Sequence, residues 1–316
     1  MAQPTSSSVH ADRPLTMMSQ AIIQSQTNFI AGKVFPTVPV SKKSDSYYIY
    51  TQADWFRDEA TIRPPATESA GSGYNLSTTT YNCDVYAIHK DLDDQTDANA
   101  DEVLNLEQDA VEFVTQRMLL KHEIEWTSEF FTTSKWTTDV TPSNLWDVYA
   151  TSSPLTDVQT GIKTVLARTG LKPNTGVMGY DVWSAMLNHP DIIERIKYTS
   201  SSVPTEQIVG NYFGLDRIFV TSAVKNTGTE GGTASYSFVQ GKHMLICYVA
   251  PRVGPRTPTA GATFAWTGVS DGMGTTVGTV RFPIPEKRVT RIESQMAWDS
   301  KVIGADLGYF LNSVVS

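Results

Sequence analysis

The chain has 316 residues, 40% of them hydrophobic and 10% aromatic, and a formal net charge of −8. That length suggests about two domains. The apolar content suffices for a sizeable core, and the acidic balance argues against a protein built to grip nucleic acid. Cys83 and Cys247 stand alone, which gives neither a disulfide framework nor a zinc site and suits a reducing compartment. No apolar run approaches the roughly 18 residues of a membrane span. The N-terminus lacks a basic start feeding an apolar stretch, so no signal peptide is read and a cytoplasmic origin is expected.

Residues 1–44 read as an arm. The start is polar, with short apolar clusters at Met17–Met18 and Ile22–Ile23. In Val34-Phe35-Pro36-Thr37-Val38-Pro39-Val40 two prolines exclude a central strand. They favour an extended segment along another molecule's surface. Residues 45–92 read as a hairpin. Asp45–Phe56 is aromatic and strand-like. Tyr74–Leu92 alternates, with Tyr81, Cys83, Val85 and Ala87 on one face and Asn82, Asp84, Tyr86 and Ile88 on the other. The charged, Pro/Gly-rich loop Arg57–Gly73 joins them. A lone hairpin is marginal in water, and the chain offers no obvious local support for this one.

Residues 93–153 carry the most regular stretch, a helix over Leu104–Phe131 about 40 Å long. Leu106, Ala110, Phe113, Leu120, Ile124 and Phe131 form its apolar stripe, widened by Val114 and Met118, while Gln108, Glu112, Thr115, Gln116 and His122 lie elsewhere on the wheel. Asp91, Asp93, Asp94, Asp97, Asp101 and Glu102 precede it, where the helix dipole favours carboxylates. The stripe is expected to face the terminal strands. On that expectation Phe113→Asp abolishes folding and Gln116→Ala is nearly silent. Thr132–Ser153 is a polar connection containing Trp136 and Trp146.

Residues 154–280 switch to an α/β pattern. Helices are expected over Thr156–Arg168, Asp181–Asn188, Asp191–Ile196 and Thr205–Tyr212. Strands are expected over Asn174–Gly179, Asp216–Ser222 and His243–Val249, and Thr263–Val280 is Gly-rich and β-like. Residues 281–316 read as long strands around a turn near Asp299–Gly304.

Catalytic motifs fail on mechanism. Gly268-Val269-Ser270-Asp271-Gly272 matches a nucleophile elbow, but no helix start follows and no histidine lies beyond His243. His122-Glu123 could open a zinc-binding HExxH, yet Trp126 occupies the second histidine position. Gly71-Ser72-Gly73 and Gly272-Met273-Gly274 are incomplete phosphate loops. The acidic run Asp91–Glu102 has no glycine turn and so is no calcium loop; it reads as dipole-favoured carboxylates, with a divalent ion held between subunits as the other reading. His89 beside it reads as a strand-surface residue. No catalytic, cofactor-binding or metal-ligating residue is expected, and no cofactor.

The order of these pieces resembles the major capsid proteins of tailed bacteriophages, the Hong Kong 97 type of capsid fold. Phrases that carry the likeness are Val34-Phe35-Pro36, Asp54-Trp55-Phe56-Arg57-Asp58-Glu59-Ala60, Pro173-Asn174, Asn188-His189-Pro190-Asp191-Ile192-Ile193-Glu194-Arg195-Ile196-Lys197 and Ala305-Asp306-Leu307-Gly308-Tyr309-Phe310. The resemblance implies an α+β fold: an N-terminal arm (1–44), an extended β-hairpin loop (45–92) and a peripheral domain built on the spine helix (93–153) and terminal strands (281–316). An α/β axial domain (154–280) completes it. It implies a structural subunit of the icosahedral head that encloses packaged double-stranded DNA, pairing with itself as pentamers and hexamers. Portal and decoration proteins are further partners, with no sequence-specific DNA binding and no membrane. The arm is shorter than in members that carry a scaffolding segment, so a separate scaffolding protein, or a cleaved segment, is expected. The virion is the implied location, with assembly in the host cytoplasm.

The hairpin's expected contacts with neighbouring subunits are Trp55, Phe56, Arg57, Asp58, Glu59, Arg63 and Glu68. They supply aromatic area and both signs of charge for register, each exposed pair worth about 0–1 kcal/mol. Rival expectations are another virion structural protein of tail or adhesion type, an α/β hydrolase-like enzyme, and a monomeric binding module.

Overall fold

A computed structural model describes residues 24–50, 52–100, 105–196, 205–252, 254, 256–269 and 278–316. The expectations at Met17–Met18, Ile22–Ile23, Asp101, Glu102 and the Ser270–Gly274 part of the glycine motifs lie outside the described residues. The N-terminal part runs α1 (Ala31–Val34), β1 (Thr37–Val40), β2 (Ser44–Tyr50), α2 (Gln52–Trp55), β3 (Leu76–Asn82), β4 (Asp84–Asp93) and α3 (Asp94–Ala98). The spine helix is α4 (Leu106–Phe130). There follow β5 (Asp139–Val140), α5 (Pro154–Thr169), β6 (Thr175–Gly179), α6 (Tyr180–Leu187), α7 (Pro190–Ile196), α8 (Glu206–Phe213) and β7 (Arg217–Thr221). The chain closes with β8 (Val224–Asn226), β9 (Tyr236–Phe238), β10 (Met244–Cys247), β11 (Gly261–Trp266), β12 (Gly278–Ile284), β13 (Val289–Val302) and β14 (Gly308–Leu311).

Helix α4 forms where the sequence places it. Asn105 caps its start by accepting from the Gln108 N–H at 3.0 Å, and Glu107 and Asp109 occupy the first turn. Its 25 residues span about 37 Å. The buried stripe differs from the expected one. Leu106, Ala110, Val114, Met118, His122, Trp126 and Phe130 are buried, at a stride of four. Four residues exceed one turn by about 40°, so the stripe winds around the helix as a ridge. Its first half rests on β13 and β4: Ala110 and Val114 on Ile292, Met118 on Met296 and Trp298. Its last turns, with Trp126 and Phe130, enter a second core. Phe113 falls off the ridge. It is 43% exposed, with the Lys90 ammonium 5.5 Å and the Arg117 guanidinium 5.1 Å from its ring centre. The expectation that Phe113→Asp abolishes folding is therefore withdrawn.

Two five-stranded sheets carry the rest. In the first, the order is β1-β11-β13-β12, and β4 pairs with β13. In the second it is β5-β14-β10-β6-β7, covered by α5 to α8 around Trp146, Val158, Val182 and Phe213. Strands β6 and β10 are buried on both faces, as their continuous apolar runs require. Sheet membership departs from the expected segment boundaries at two strands. β11, placed with residues 154–280, pairs in the first sheet with β1 and β13. β14, placed with the terminal strands, pairs with β10 and β5 in the second. β13 also runs straight through Asp299, and the turn comes after Val302.

The arm differs too. Phe29, Ile30, Ala31, Val34 and Phe35 are core residues, Phe35 lying 4.4 Å from the Phe130 ring and 6.0 Å from Trp126. Pro39 does sit on an edge strand, as proline must. That strand, β1, lies along the same chain's β11 rather than another molecule.

The hairpin proper is β2 with β3, paired from Ser44↔Asn82 to Tyr50↔Leu76. At Cys83 the strand breaks. Cys83 N–H turns to the Lys43 carbonyl at 2.8 Å, and Asn82 N–H donates to Asp299 Oδ2 at 2.8 Å. β4 then leaves the hairpin and joins β13 over ten residue pairs. The break also reverses the faces. Tyr81 and Cys83 are buried, but Val85 is exposed and Tyr86 and Ile88 point to the spine. A one-residue interruption in a period-two strand has this effect.

Candidate assembly surfaces

The root of the hairpin is built on aromatic stacking. Tyr81 lies flat on Phe264 (4.7 Å, 12°), Tyr47 packs on the same ring at 5.4 Å, and the Trp266 indole N–H donates to the Ser41 carbonyl. Cys83 is buried beneath, and burial raises its thiol to about 11. These contacts set the direction in which the hairpin leaves the first sheet.

At the far end, Asp54 Oδ2 accepts from both the backbone and the side-chain amide of Asn75, closing the base of the distal loop. Tyr50, Trp55 and Tyr74 cluster with ring centres 5.5–6.1 Å apart. The tip does find local support. Gln52 Nε2 donates to the Arg168 carbonyl at 2.6 Å, satisfying a carbonyl in the last turn of α5. The Arg256 guanidinium lies 5.9 Å from the Tyr50 ring centre. Phe56 faces Gly170, which ends α5 at φ 70°, a conformation that favours glycine.

The seven expected contact residues fall into two groups. Trp55, Phe56, Arg57, Asp58 and Glu59 share the tip: Trp55 is 54% and Phe56 62% exposed, and Arg57 lies 3.6 Å from Asp54 and 3.7 Å from Glu59. Arg63 and Glu68 belong to the distal turn, where Arg63 Nε donates to the Thr67 carbonyl and Glu68 is exposed. Ile62, 96% exposed between them, was missed. A single apolar residue amid charge has no periodicity to reveal it.

The His122-Glu123 pair is structural. Trp126 is fully buried, and Glu123 Oε2 accepts from the Ile30 and Ala31 N–H groups at 2.9 and 2.8 Å, capping the first turn of the arm. Burial pushes Glu123 up to about 7, although its hydrogen bonds pull the other way. Ser152, His189 and Asp191 also come together like a hydrolytic triad, but the hydrogens run the wrong way. His189 Nδ1 accepts from the Asp191 N–H at 3.3 Å, which leaves the ring hydrogen on Nε2, 3.1 Å from Ser152 Oγ. The Ser152 hydroxyl donates to the Val148 carbonyl at 2.8 Å. The histidine thus caps α7 and cannot take a proton from the serine. Among the described residues no group of His, Cys, Asp and Glu is arranged to hold a metal, and no helix is long and apolar enough to cross a membrane.

Comparison with known proteins agrees with this architecture. No family model matches the chain. The chain is 24% identical over 305 residues to a major capsid protein of Pseudomonas phage JBD67, covering 94% of this chain and 95% of that protein. It is 22% identical over 162 residues to a major capsid protein of Burkholderia phage BcepMu, a match spanning about half of each (50% and 49%). Among solved structures, a phage-related protein of Bordetella bronchiseptica RB50 superposes with a TM-score of 0.70 at 22% identity, over 92% of this chain and 94% of the other. The capsid of cyanophage P-SCSP1u gives 0.62 at 11% identity, over 93% and 90%. The chain has the Hong Kong 97-type capsid fold. Its curated relatives are phage major capsid proteins.

Proposed function

We propose that the chain is the structural subunit of a tailed-phage head, assembling with itself into an icosahedral shell around double-stranded DNA. The observation that carries this reading is the hairpin. It leaves the first sheet on a fixed aromatic root and ends in exposed Trp55, Phe56 and Ile62. Exposed apolar area on an outreaching two-stranded arm is stabilised when a second copy covers it. Residues Trp55, Phe56, Arg57, Asp58, Glu59, Arg63 and Glu68 make that contact, and weak charge pairs at its rim let misplaced subunits detach.

On this reading the first sheet with α4 is the peripheral domain and the second sheet with α5 to α8 the axial domain, which meets its copies in pentamers and hexamers. A separate scaffolding protein guides assembly, and portal and decoration proteins complete the virion, built in the host cytoplasm. The role is non-enzymatic, which accords with the hydrogen-bond direction at Ser152 and His189. A net charge of −8 keeps enclosed DNA from sticking. The 25-residue spine disfavours the tail or adhesion alternative, for which a long helix is not expected.

The test is electron microscopy and sedimentation of the purified chain, alone and with its phage's scaffolding protein. Closed shells or ring-shaped capsomers are expected. A stable monomer of 34.8 kDa at high concentration under both conditions would overturn the proposal.

A further inference from the structure

The hairpin β2–β3 is fixed at its root, where Tyr81 lies flat on Phe264 of the first sheet, and its tip meets the same chain again at the end of α5. There the Gln52 amide donates to the Arg168 carbonyl at 2.6 Å, an acceptor that the last turn of a helix leaves open. The receiving side is held in place: the Arg168 guanidinium donates to the Thr138 hydroxyl at 2.9 Å and lies 3.5 Å from Asp306, and Gly170 closes α5 in the left-handed conformation. Phe56 reaches Gly170, where a Cβ would stand 4.0 Å from the ring's far carbon, Cζ. Arg256 lies 5.9 Å from the centre of the Tyr50 ring, and Tyr50 packs on Trp55, so tip and dock meet as units. The contact is slight. Among the described residues no ion pair joins the tip to the dock, the Gln52 amide and the Arg168 carbonyl both return to water when it opens, and Phe56 stays 62% exposed while docked.

We propose that this contact is a latch: the free subunit parks its hairpin on its own α5, and assembly requires the tip to leave it. The inference rests on the shell reading above, in which a second copy covers Trp55 and Phe56. A neighbour that buries the whole Phe56 ring must take the place of Gly170 at its edge, so the parked and the assembled contacts exclude each other. The root is held by stacked aromatics and the tip by an amide and a cation–π contact, so release moves the tip and leaves the root in place. A weak latch of this kind lowers the fraction of subunits competent to join. It thereby raises the concentration at which shells form without blocking assembly.

The test uses the purified full chain. Ala53→Cys with Ala167→Cys places two exposed thiols beside Gln52 and Arg168, while Cys83 and Cys247 stay buried. A short, reducible thiol–thiol linker is expected to bridge them within one subunit, at a yield that does not change on dilution. The bridged subunit is expected to remain unassembled, by sedimentation and microscopy, where the wild type forms shells, and to assemble once the linker is reduced. Failure to bridge, or shells formed by the bridged subunit, would overturn the latch. A second variant reads the latch without cysteines, so the proposal stays testable if the first misfolds. Gln52→Ala with Arg256→Ala frees the tip and is expected to lower the protein concentration needed for shells at least about threefold. An unchanged or higher threshold would overturn the latch as well. The two readings separate in the wild type: no shells or capsomers from it would sink the shell reading and the latch with it, whereas shells from the wild type and the bridged subunit alike sink the latch alone.

Discussion

At position 123 a carboxylate sits fully buried in the middle of the spine and holds the arm by two backbone N–H groups. Its other oxygen, Oε1, has no hydrogen-bond partner among the described residues, so ionisation leaves a poorly compensated charge in the core. Burial raises its pKa from an ordinary 4.5 to about 7. A folded value above the unfolded one means that folding takes up a proton between them. This contribution to stability is therefore full below about 4.5 and declines as pH rises toward and through 7. Chemical denaturation across pH 5–8 should show that slope in the wild type and lose it in Glu123→Gln. Glu123→Ala, which leaves two buried N–H groups without acceptors, should cost about 1–3 kcal/mol at pH 5. Cys83 presents a parallel case, a thiol that burial keeps protonated. Thiol reagents at pH 8 should label it only after unfolding. The behaviour of Glu123 is not legible in the sequence. The motif HEIEW reads as the polar side of a helix until the arm is packed against it.

For the elements, the lesson lies in Phe113 and Val114. Helical periodicity places both near the apolar side, and the larger residue draws the eye. The twisted sheet beneath decides otherwise, because β13 and β4 receive a ridge of every fourth residue. Phe113→Asp should thus yield folded, soluble subunits and lose about 1 kcal/mol of cation–π and packing stabilisation. Val114→Asp, which buries a charge between Ala110 and Ile292, should prevent folding. Thermal melts of the two variants side by side decide between the ridge and the simple stripe. Strands β7 and β10 were legible because each centres on an apolar run, Ile218–Val220 and Met244–Cys247. The division of the expected hairpin at Cys83 was not, since the letters on either side keep alternating. What ends the hairpin is the Asn82 N–H reaching Asp299, 217 positions away.

In the whole molecule, the hairpin is carried by its root and leaves its tip partly uncovered. Trp55→Ser together with Phe56→Ser should cost the subunit about 1 kcal/mol, from lost contacts with Tyr50, Tyr74 and Gly170, and leave it folded. If the tip is covered by a neighbour, the same variant should sediment as unassembled subunits where the wild type gives shells. Wild-type assembly by that variant would remove the tip from the contact. The order of arm, hairpin, spine, α/β unit and closing strands could be read from the chain, as could the length of the spine. These rest on propensity, turns and periodicity, which act over about ten residues. Only the tertiary structure decided that β11 belongs with the spine's sheet, that β14 closes the other one, that the arm is core, and that the hairpin's tip rests on the end of α5. Those outcomes depend on which distant surfaces bury one another, and burial is non-directional until a particular packing selects the partners.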